Sequence, residues 1–194
     1  MSNFNLDAFQ AALATRRIGR PTHHYPQTGS TNDLAHAAAS AGAAEGLVIL
    51  ADEQTAGRGR LDRRWWAPPG TSLLFSLLLR PDLSVTHAGQ LTMCLGLAAA
   101  EASESVTGLR IGLKWPNDLI RAGRKLGGML AEVELDDERI RYAVLGLGLN
   151  VNVDFAAPAE SAAGAAMPDE LRDQATSLAM LLGQPVDRAS LLAA

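Results

Sequence analysis

The stretch ADEQTAGRGRLDRRWWAPPG, residues 51–70, decides how the rest of the chain is interpreted. It contains four arginines within seven residues, two glycines that alternate with the first two arginines, and two tryptophans. Glycine lets a backbone approach a ligand closely, and the arginine fork matches the oxygens of phosphate or carboxylate groups. The stretch is also longer than an ordinary connection. We therefore interpret it as an anion-binding loop, for which a solvated surface loop is the plain alternative.

Hydrophobic runs on both sides of this loop predict two buried strands, at residues 47–51 and 72–80. Residues 87–105 predict a long helix that packs across the sheet with one apolar face. Residues 126–135 and 140–147 predict a hairpin.

Shorter elements are predicted around these. An amphipathic helix is expected near residues 6–17, and a second helix at residues 33–41 with Ser30 or Thr31 as its N-cap. Residues 111–114 predict a strand that Pro116 interrupts and that residues 119–120 resume. Residues 154–170 predict a loop, with helices after it capped by Thr176 and Asp187.

The composition is that of a globular protein of one domain. Hydrophobic residues make up 47% and charged residues 20% of 194 residues, and the formal net charge is −4. This balance excludes a surface built to coat nucleic acid. We find neither a signal-peptide pattern nor an apolar run of membrane-spanning length, and one cysteine allows no intrachain disulfide, so we expect a cytoplasmic protein. Cys94, within an apolar helical stretch, is expected to be buried.

Only two of the 17 basic residues are lysines, Lys114 and Lys125, which makes each of them informative. Lys114 opens Lys-Trp-Pro-Asn-Asp, and Lys125 precedes a leucine and the double glycine Gly127-Gly128. A plain turn and a solvent-facing lysine are the alternatives. The four histidines lack metal-site spacing. Gly146-Leu-Gly148 lacks the third glycine of a dinucleotide site.

Together these motifs suit an enzyme that holds two anions side by side, and they resemble the catalytic domain of biotin protein ligases. The resemblance rests on five segments in family order over about residues 25–185, namely Gly29-Ser-Thr-Asn32, Gln54-Thr-Ala-Gly-Arg-Gly-Arg60 with Arg63 and Trp65, Lys114-Trp-Pro-Asn-Asp-Leu119, Lys125-Leu-Gly-Gly128 and Gly146-Leu-Gly-Leu-Asn150. Asp62 departs from the glycine common in the family.

The resemblance implies an α/β fold of the α+β type, similar to class II aminoacyl-tRNA synthetases, with a mixed, largely antiparallel sheet and helices on one face. It implies that biotin and MgATP form biotinyl-5′-AMP, which then acylates one lysine of a biotin carboxyl carrier domain of acetyl-CoA carboxylase. The family's N-terminal DNA-binding domain and SH3-like C-terminal domain are not expected in residues 1–194, and a truncated sequence is one explanation. A homodimer is possible, and neither nucleic acid nor a membrane is an expected partner.

The resemblance also assigns roles to matched positions. The catalytic residues would be Lys125, Arg60 and Asp118. The biotin-binding residues would be Ser30, Thr31, Asn32, Gln54, Arg58, Gly59, Arg60 and Lys125. The residues that bind ATP or its phosphates would be Arg58, Arg60, Arg63, Trp65, Lys114, Asn117, Lys125 and Asn150. No side-chain spacing predicts a metal ligand.

Two alternatives stay open at the level of sequence. A lipoate–protein ligase shares the fold and the adenylation chemistry, and competition between biotin and lipoate would separate it. A non-catalytic biotin-binding module would have no use for several phosphate-suited cations, and ATP would leave its affinity for biotin unchanged.

Overall fold

A computed structural model describes residues 4–61, 63–158, 160 and 164–194. A seven-stranded sheet runs through it in the order β1-β2-β3-β7-β6-β5-β4, with β1 parallel to β2 and every other neighbouring pair antiparallel. The strands are β1 Thr22–Tyr25, β2 Val48–Ala51, β3 Ser72–Leu79, β4 Gly112–Lys114, β5 Asp118–Arg121, β6 Arg124–Asp136 and β7 Arg139–Asn150. The helices are α1 Leu6–Ala12, α2 Thr31–Ser40, α3 Ala88–Thr107, α4 Glu170–Gln174, α5 Leu178–Leu182 and α6 Arg188–Ala193. The predicted mixed, largely antiparallel sheet is confirmed.

Helices cover both faces of this sheet. Val48 and Leu50 of β2 pack in the core that contains residues of α1, α3 and α6. The alternate residue Ile49 packs with Ala35 and Ala39 of α2. Because successive side chains of a strand point to opposite faces, α2 lies on the face opposite to the other three helices. The expectation of helices on one face is correct for α1, α3 and α6 and wrong for α2.

The turn between β4 and β5 reverses the chain. Lys114 pairs with Asp118, and Gly112 pairs with Ile120, in antiparallel register. The prediction that residues 119–120 resume the strand of residues 111–114 is therefore wrong, because the intervening residues form a hairpin turn. The predicted hairpin of β6 and β7 is confirmed.

Other sequence predictions need smaller corrections. The first helix ends at Ala12, before the predicted residue 17. Cys94 is exposed on α3, since the apolar surface of that helix extends round to its solvent side. Ser177, not Thr176, caps α5, because its side chain accepts the N–H of Met180. Asp62 lies outside the described residues. No helix in the described part is long and apolar enough to cross a membrane.

A buried ion pair closes the base of the loop at residues 51–70. Asp52 directly follows β2, and its carboxylate contacts Nη1 of Arg188 at 2.7 Å and Nε2 of His24 at 2.9 Å. Arg188 is only 6% exposed, and its guanidinium also donates to the carbonyl of Ser72. The N–H of Gly70 donates to the carbonyl of Asp52. The two ends of the loop are thus fixed to each other and to α6.

The predicted cap of α6 is confirmed, and it yields a stability prediction. The Asp187 carboxylate accepts hydrogen bonds from the hydroxyl and the N–H of Ser190, which lower the pKa of Asp187. The stabilisation is therefore present above the ordinary carboxyl pKa and is lost as the pH falls through the native pKa. We expect Asp187→Ala to lower the free energy of unfolding by about 1 kcal/mol at pH 7, with a smaller difference in acid.

Urea unfolding at pH 7 and at the lowest pH at which both proteins fold measures this difference. Asp173→Ala is the matched control, because Asp173 is exposed and caps no helix. A difference that is equal at both pH values would show that the charge of the Asp187 carboxylate contributes nothing to the cap.

Candidate active site

One large cleft of about 1170 Å³ opens on the sheet face that carries α2. Its floor is formed by glycines of the two central strands, Gly128 of β6 and Gly146 and Gly148 of β7, with Gly128 opposite Gly148. The loop at residues 51–70 forms one wall, and the β4–β5 turn forms another.

The glycines of the floor are required by what lies against them. A Cβ on Gly148 would stand 2.6 Å from the indole ring of Trp65, and one on Gly146 would stand 2.3 Å from Oδ1 of Asn32. Distances below 3.0 Å do not occur between real atoms of this kind. Trp65 and Asn32 therefore reach the sheet only because these positions lack side chains. The close approach predicted for Gly127 and Gly128 is also found, since a Cβ on Gly127 would stand 2.9 Å from a backbone carbonyl.

The start of α2 faces the cleft and is bonded to the loop. Ser30 occupies the N-cap position, as predicted, but its side chain accepts no hydrogen bond from the helix. The N–H and the hydroxyl of Thr31 both donate to Oε1 of Gln54, at 2.7 and 3.1 Å. The Gln54 side chain therefore satisfies a donor that would otherwise be free at the start of the helix.

Asn32 is held by two side chains beneath the cleft, Ser76 and Glu132. Its Oδ1 accepts a hydrogen bond from Ser76, and its Nδ2 donates to Oε2 of Glu132 at 2.6 Å. Glu132 also lies 3.5 Å from Nε2 of His36. Because both ends of the Asn32 amide are bonded and the residue is 4% exposed, its orientation is fixed.

Arg58 is the most strongly paired cation of the loop. Its Nη1 lies 2.6 Å from the Asp33 carboxylate, and its Nη2 lies 3.2 Å from both oxygens of Glu132. Burial lowers the pKa of Arg58, but the two carboxylates outweigh burial and raise that pKa above its ordinary value. The guanidinium is thus tied to α2 and β6 rather than extended into solvent.

The three residues predicted to be catalytic, Lys125, Arg60 and Asp118, all line the cleft and come from β6, the loop and β5. Nζ of Lys125 on β6 lies 2.7 Å from Oδ1 of Asp118 on β5, and 5.9 Å from the centre of the Trp65 ring. Nη1 of Arg60 donates to Oδ1 of Asn117 at 3.2 Å. Asn117 in turn donates to the carbonyl of Met129. The tip of the loop is therefore bonded to the β4–β5 turn beside the lysine.

Every residue that the sequence assigned to the site lines this one cleft. The set comprises Ser30, Thr31, Asn32, Gln54, Arg58, Gly59, Arg60, Arg63, Trp65, Lys114, Asn117, Asp118, Lys125 and Asn150. Arg63 and Lys114 are exposed at its rim. The Asn150 amide donates to the carbonyl of Thr176, and the N–H of Thr176 donates to the carbonyl of Lys125. The segment after α4 is thus joined to the strand that carries Lys125.

The acidic partners of Arg58 and the apolar end of the site were not predicted from the sequence. Glu132 and Asp33 hold Arg58. The alternation of β6 could have identified Glu132, because residues 128, 130 and 132 share a face. Trp66 and Phe155 line the cleft with ring centres 6.2 Å apart, and no sequence motif pointed to Phe155.

The donor set of the cleft suits anions. Arginines and a lysine bind carboxylate or phosphate oxygens. Nε1 of Trp65 is buried and has no acceptor among the described residues, so it can donate to a ligand. Within those residues there is no group of three metal-ligating side chains.

The glycine floor gives the second prediction. We expect Gly146→Ala to lower the free energy of unfolding by about 1–3 kcal/mol, because Asn32 must leave its bonds to Ser76 and Glu132. Gly89→Ala is the matched control, since an added Cβ there meets nothing within 4 Å and alanine favours a helix. Urea unfolding of wild type, Gly146→Ala and Gly89→Ala measures these free energies. Equal stability of wild type and Gly146→Ala would refute the packing argument.

Comparison with known proteins agrees with the geometry. The sequence model of the biotin/lipoate A/B protein ligase family matches residues 25–150. The bifunctional ligase/repressor BirA of Bacillus subtilis is 37% identical over 93% of this chain and 53% of its own length. The biotin–[acetyl-CoA-carboxylase] ligase of Mycobacterium tuberculosis is 41% identical over 75% of this chain and 57% of its own length.

A solved structure shows the same likeness. The biotin protein ligase from Aquifex aeolicus, in complex with biotin and ATP, matches with a TM-score of 0.70 and 31% identity. That match covers 89% of this chain and 66% of the other. The chain spans about half the length of the curated relatives it matches. The resemblance stated from the motifs is confirmed, and the chain belongs to the biotin/lipoate A/B protein ligase family.

Proposed function

We propose that this chain is the catalytic part of a biotin–protein ligase. It would join biotin to ATP as biotinyl-5′-AMP and then transfer biotin to one lysine of a biotin carboxyl carrier domain. The observation that carries the proposal is the convergence of the residues assigned to biotin and to phosphate in one cleft. The relatives' names and the biotin and ATP in the Aquifex complex agree with it.

The first step needs charge neutralisation more than proton transfer. The carboxylate of biotin is already ionised at pH 7, and one of its oxygens attacks the α-phosphorus while pyrophosphate leaves. Two anions must be held together and the developing phosphoryl charge must be stabilised. Lys125 is proposed to bridge the carboxylate and the α-phosphate, and Arg60 to hold the carboxylate and then the acyl phosphate. Mg²⁺ would add charge neutralisation at the phosphates.

The other side chains are proposed to position the two substrates. Ser30, Thr31, Asn32 and Gln54 would bind the polar ureido end of biotin, beside Gly59. Arg58 would order the loop through Asp33 and Glu132 while contributing charge to the site. The aromatic and phosphate contacts of ATP would come from Trp65, Arg63, Lys114, Asn117 and Asn150.

The second step needs an amine to reach the adenylate. The lysine nitrogen attacks the acyl carbon, the bond from that carbon to the phosphate oxygen breaks, AMP leaves and the amine loses a proton. Asp118, 2.7 Å from Lys125, is proposed to position the incoming lysine. Closure of the loop at residues 51–70 would exclude water from the reactive anhydride. A cytoplasmic location remains a prediction from the sequence.

Lys125 supplies the decisive test. We expect Lys125→Ala to slow formation of biotinyl-AMP on the order of 10²–10³-fold, because the charge between the two anions is lost. Calorimetric titration of biotin with and without MgATP, with mass detection of the adenylate, measures this. Arg124→Ala is the matched control, since Arg124 is the exposed neighbour of Lys125 and does not line the cleft.

Three results would contradict the proposal. Tight biotin binding without adenylate from wild type would indicate a binding module. Adenylation of lipoate in preference to biotin would indicate the lipoate-type ligase. Undiminished adenylate from Lys125→Ala would remove that residue from the mechanism.

A further inference from the structure

Two large apolar side chains stand almost fully in water at the mouth of the cleft. Trp115 is 84% exposed and Leu61 is 83% exposed, the highest values for large hydrophobic residues in the described part of the chain. A single exposed leucine is ordinary. An exposed tryptophan is different, because this side chain buries 150–250 Å² when it finds a partner. At this exposure Trp115 contributes little to the core.

The two side chains belong to segments that meet. Leu61 follows Arg60 at the tip of the loop, and Trp115 precedes Asn117 by two residues in the β4–β5 turn. The hydrogen bond from Arg60 to Asn117, at 3.2 Å, joins these segments. Both Leu61 and Trp115 border the cleft. Asp118, the partner of Lys125, follows three positions after Trp115, so a protein seated on the tryptophan lies close to the reacting end of the cleft.

Cations predominate at the opening that this apolar pair borders, where Glu170 is also exposed. Lys114, Arg60, Arg63 and Arg64 are exposed and border the same opening, although the chain as a whole carries a net charge of −4. A partner that covers Trp115 and Leu61 would meet these cations at its edge. Apolar anchors within a charged rim are typical of protein interfaces, and the sign of this rim favours an acidic partner.

We propose that Trp115 and Leu61 form the docking contact for the protein domain that presents the acceptor lysine. The inference rests on the proposed function, since only the transfer step requires a macromolecule to approach this opening. The partner is a folded carrier domain with apolar side chains against Trp115 and acidic side chains against Arg64, the exposed arginine of this rim that is assigned to neither biotin nor ATP. Biotin and ATP react inside the cleft and do not require Trp115.

Kinetics of the two steps test the proposal. With a recombinant biotin carboxyl carrier domain of acetyl-CoA carboxylase as acceptor, we expect Trp115→Ala to raise the KM for that domain about tenfold or more. Formation of biotinyl-AMP should stay as in wild type, and so should capture of the adenylate by hydroxylamine, which needs no docking. Trp115→Phe should recover most of the lost affinity, and Leu61→Ser should raise the KM as well.

Controls separate docking from folding and from catalysis. Met93→Ala removes another exposed apolar side chain, 58% exposed on α3 and away from the cleft, and should leave the KM unchanged. Titration of the unmodified carrier domain into wild type and Trp115→Ala measures affinity without any reaction. This titration tests docking even if wild type makes no adenylate, which would overturn the proposed function instead.

Three outcomes would overturn the docking surface. Equal KM and equal carrier affinity for wild type and Trp115→Ala would show that the tryptophan makes no contact. A fall in adenylate formation by Trp115→Ala would show that Trp115 acts on the substrates inside the cleft. Sedimentation that shows a dimer of wild type but not of Trp115→Ala would make the surface a contact between two copies of this chain.

Discussion

The site depends on the absence of side chains from the middle of the sheet. Gly128, Gly146 and Gly148 leave bare backbone on two adjacent strands, and Trp65 and Asn32 occupy the space that their side chains would fill. Glycine costs about 0.5–1 kcal/mol in a strand relative to alanine, so the core on the opposite face must offset this weakness. Leu147 and Leu149, which alternate with these glycines, are buried there. One strand thus carries the core on one side and the floor of the cleft on the other.

Three cations of the cleft are paired with polar groups of the protein itself. Arg58 is bonded to two carboxylates, Lys125 to Asp118, and Arg60 to an amide oxygen. This pairing keeps like charges in fixed positions before an anion arrives, so less order must be created on binding. It also imposes a cost, because an incoming carboxylate or phosphate must compete with Asp118 for Lys125. Because Arg58 pairs with two carboxylates, it is the least available of the three cations for binding a ligand.

Sequence patterns predicted the parts of the fold that have strong periodicity. The long helix α3, the β6–β7 hairpin and the strands β2 and β3 follow from apolar runs. The strand β1, Thr22–Tyr25, was not predicted because its four residues show no alternation of apolar and polar side chains. Cys94 was misplaced because the helix is apolar on most sides and its period does not identify the buried face. The motifs identified residues that line the cleft, but Glu132 and Asp33 were missed because they lie outside the motifs. Alternation along β6 places Glu132 on the face of Gly128, but only the folded chain brings it to Arg58.

The ion pair between Asp52 and Arg188 has a consequence for the order in which the protein matures. A ribosome adds residues from the N-terminus, and domains fold as units as the chain emerges. Ser72 and Arg188 are 116 positions apart, so the base of the loop lacks its buried guanidinium until α6 has left the ribosomal tunnel. A nascent chain that stops before α6 would hold a buried aspartate without this partner. The base of the loop at residues 51–70 is therefore completed only after synthesis has passed Arg188.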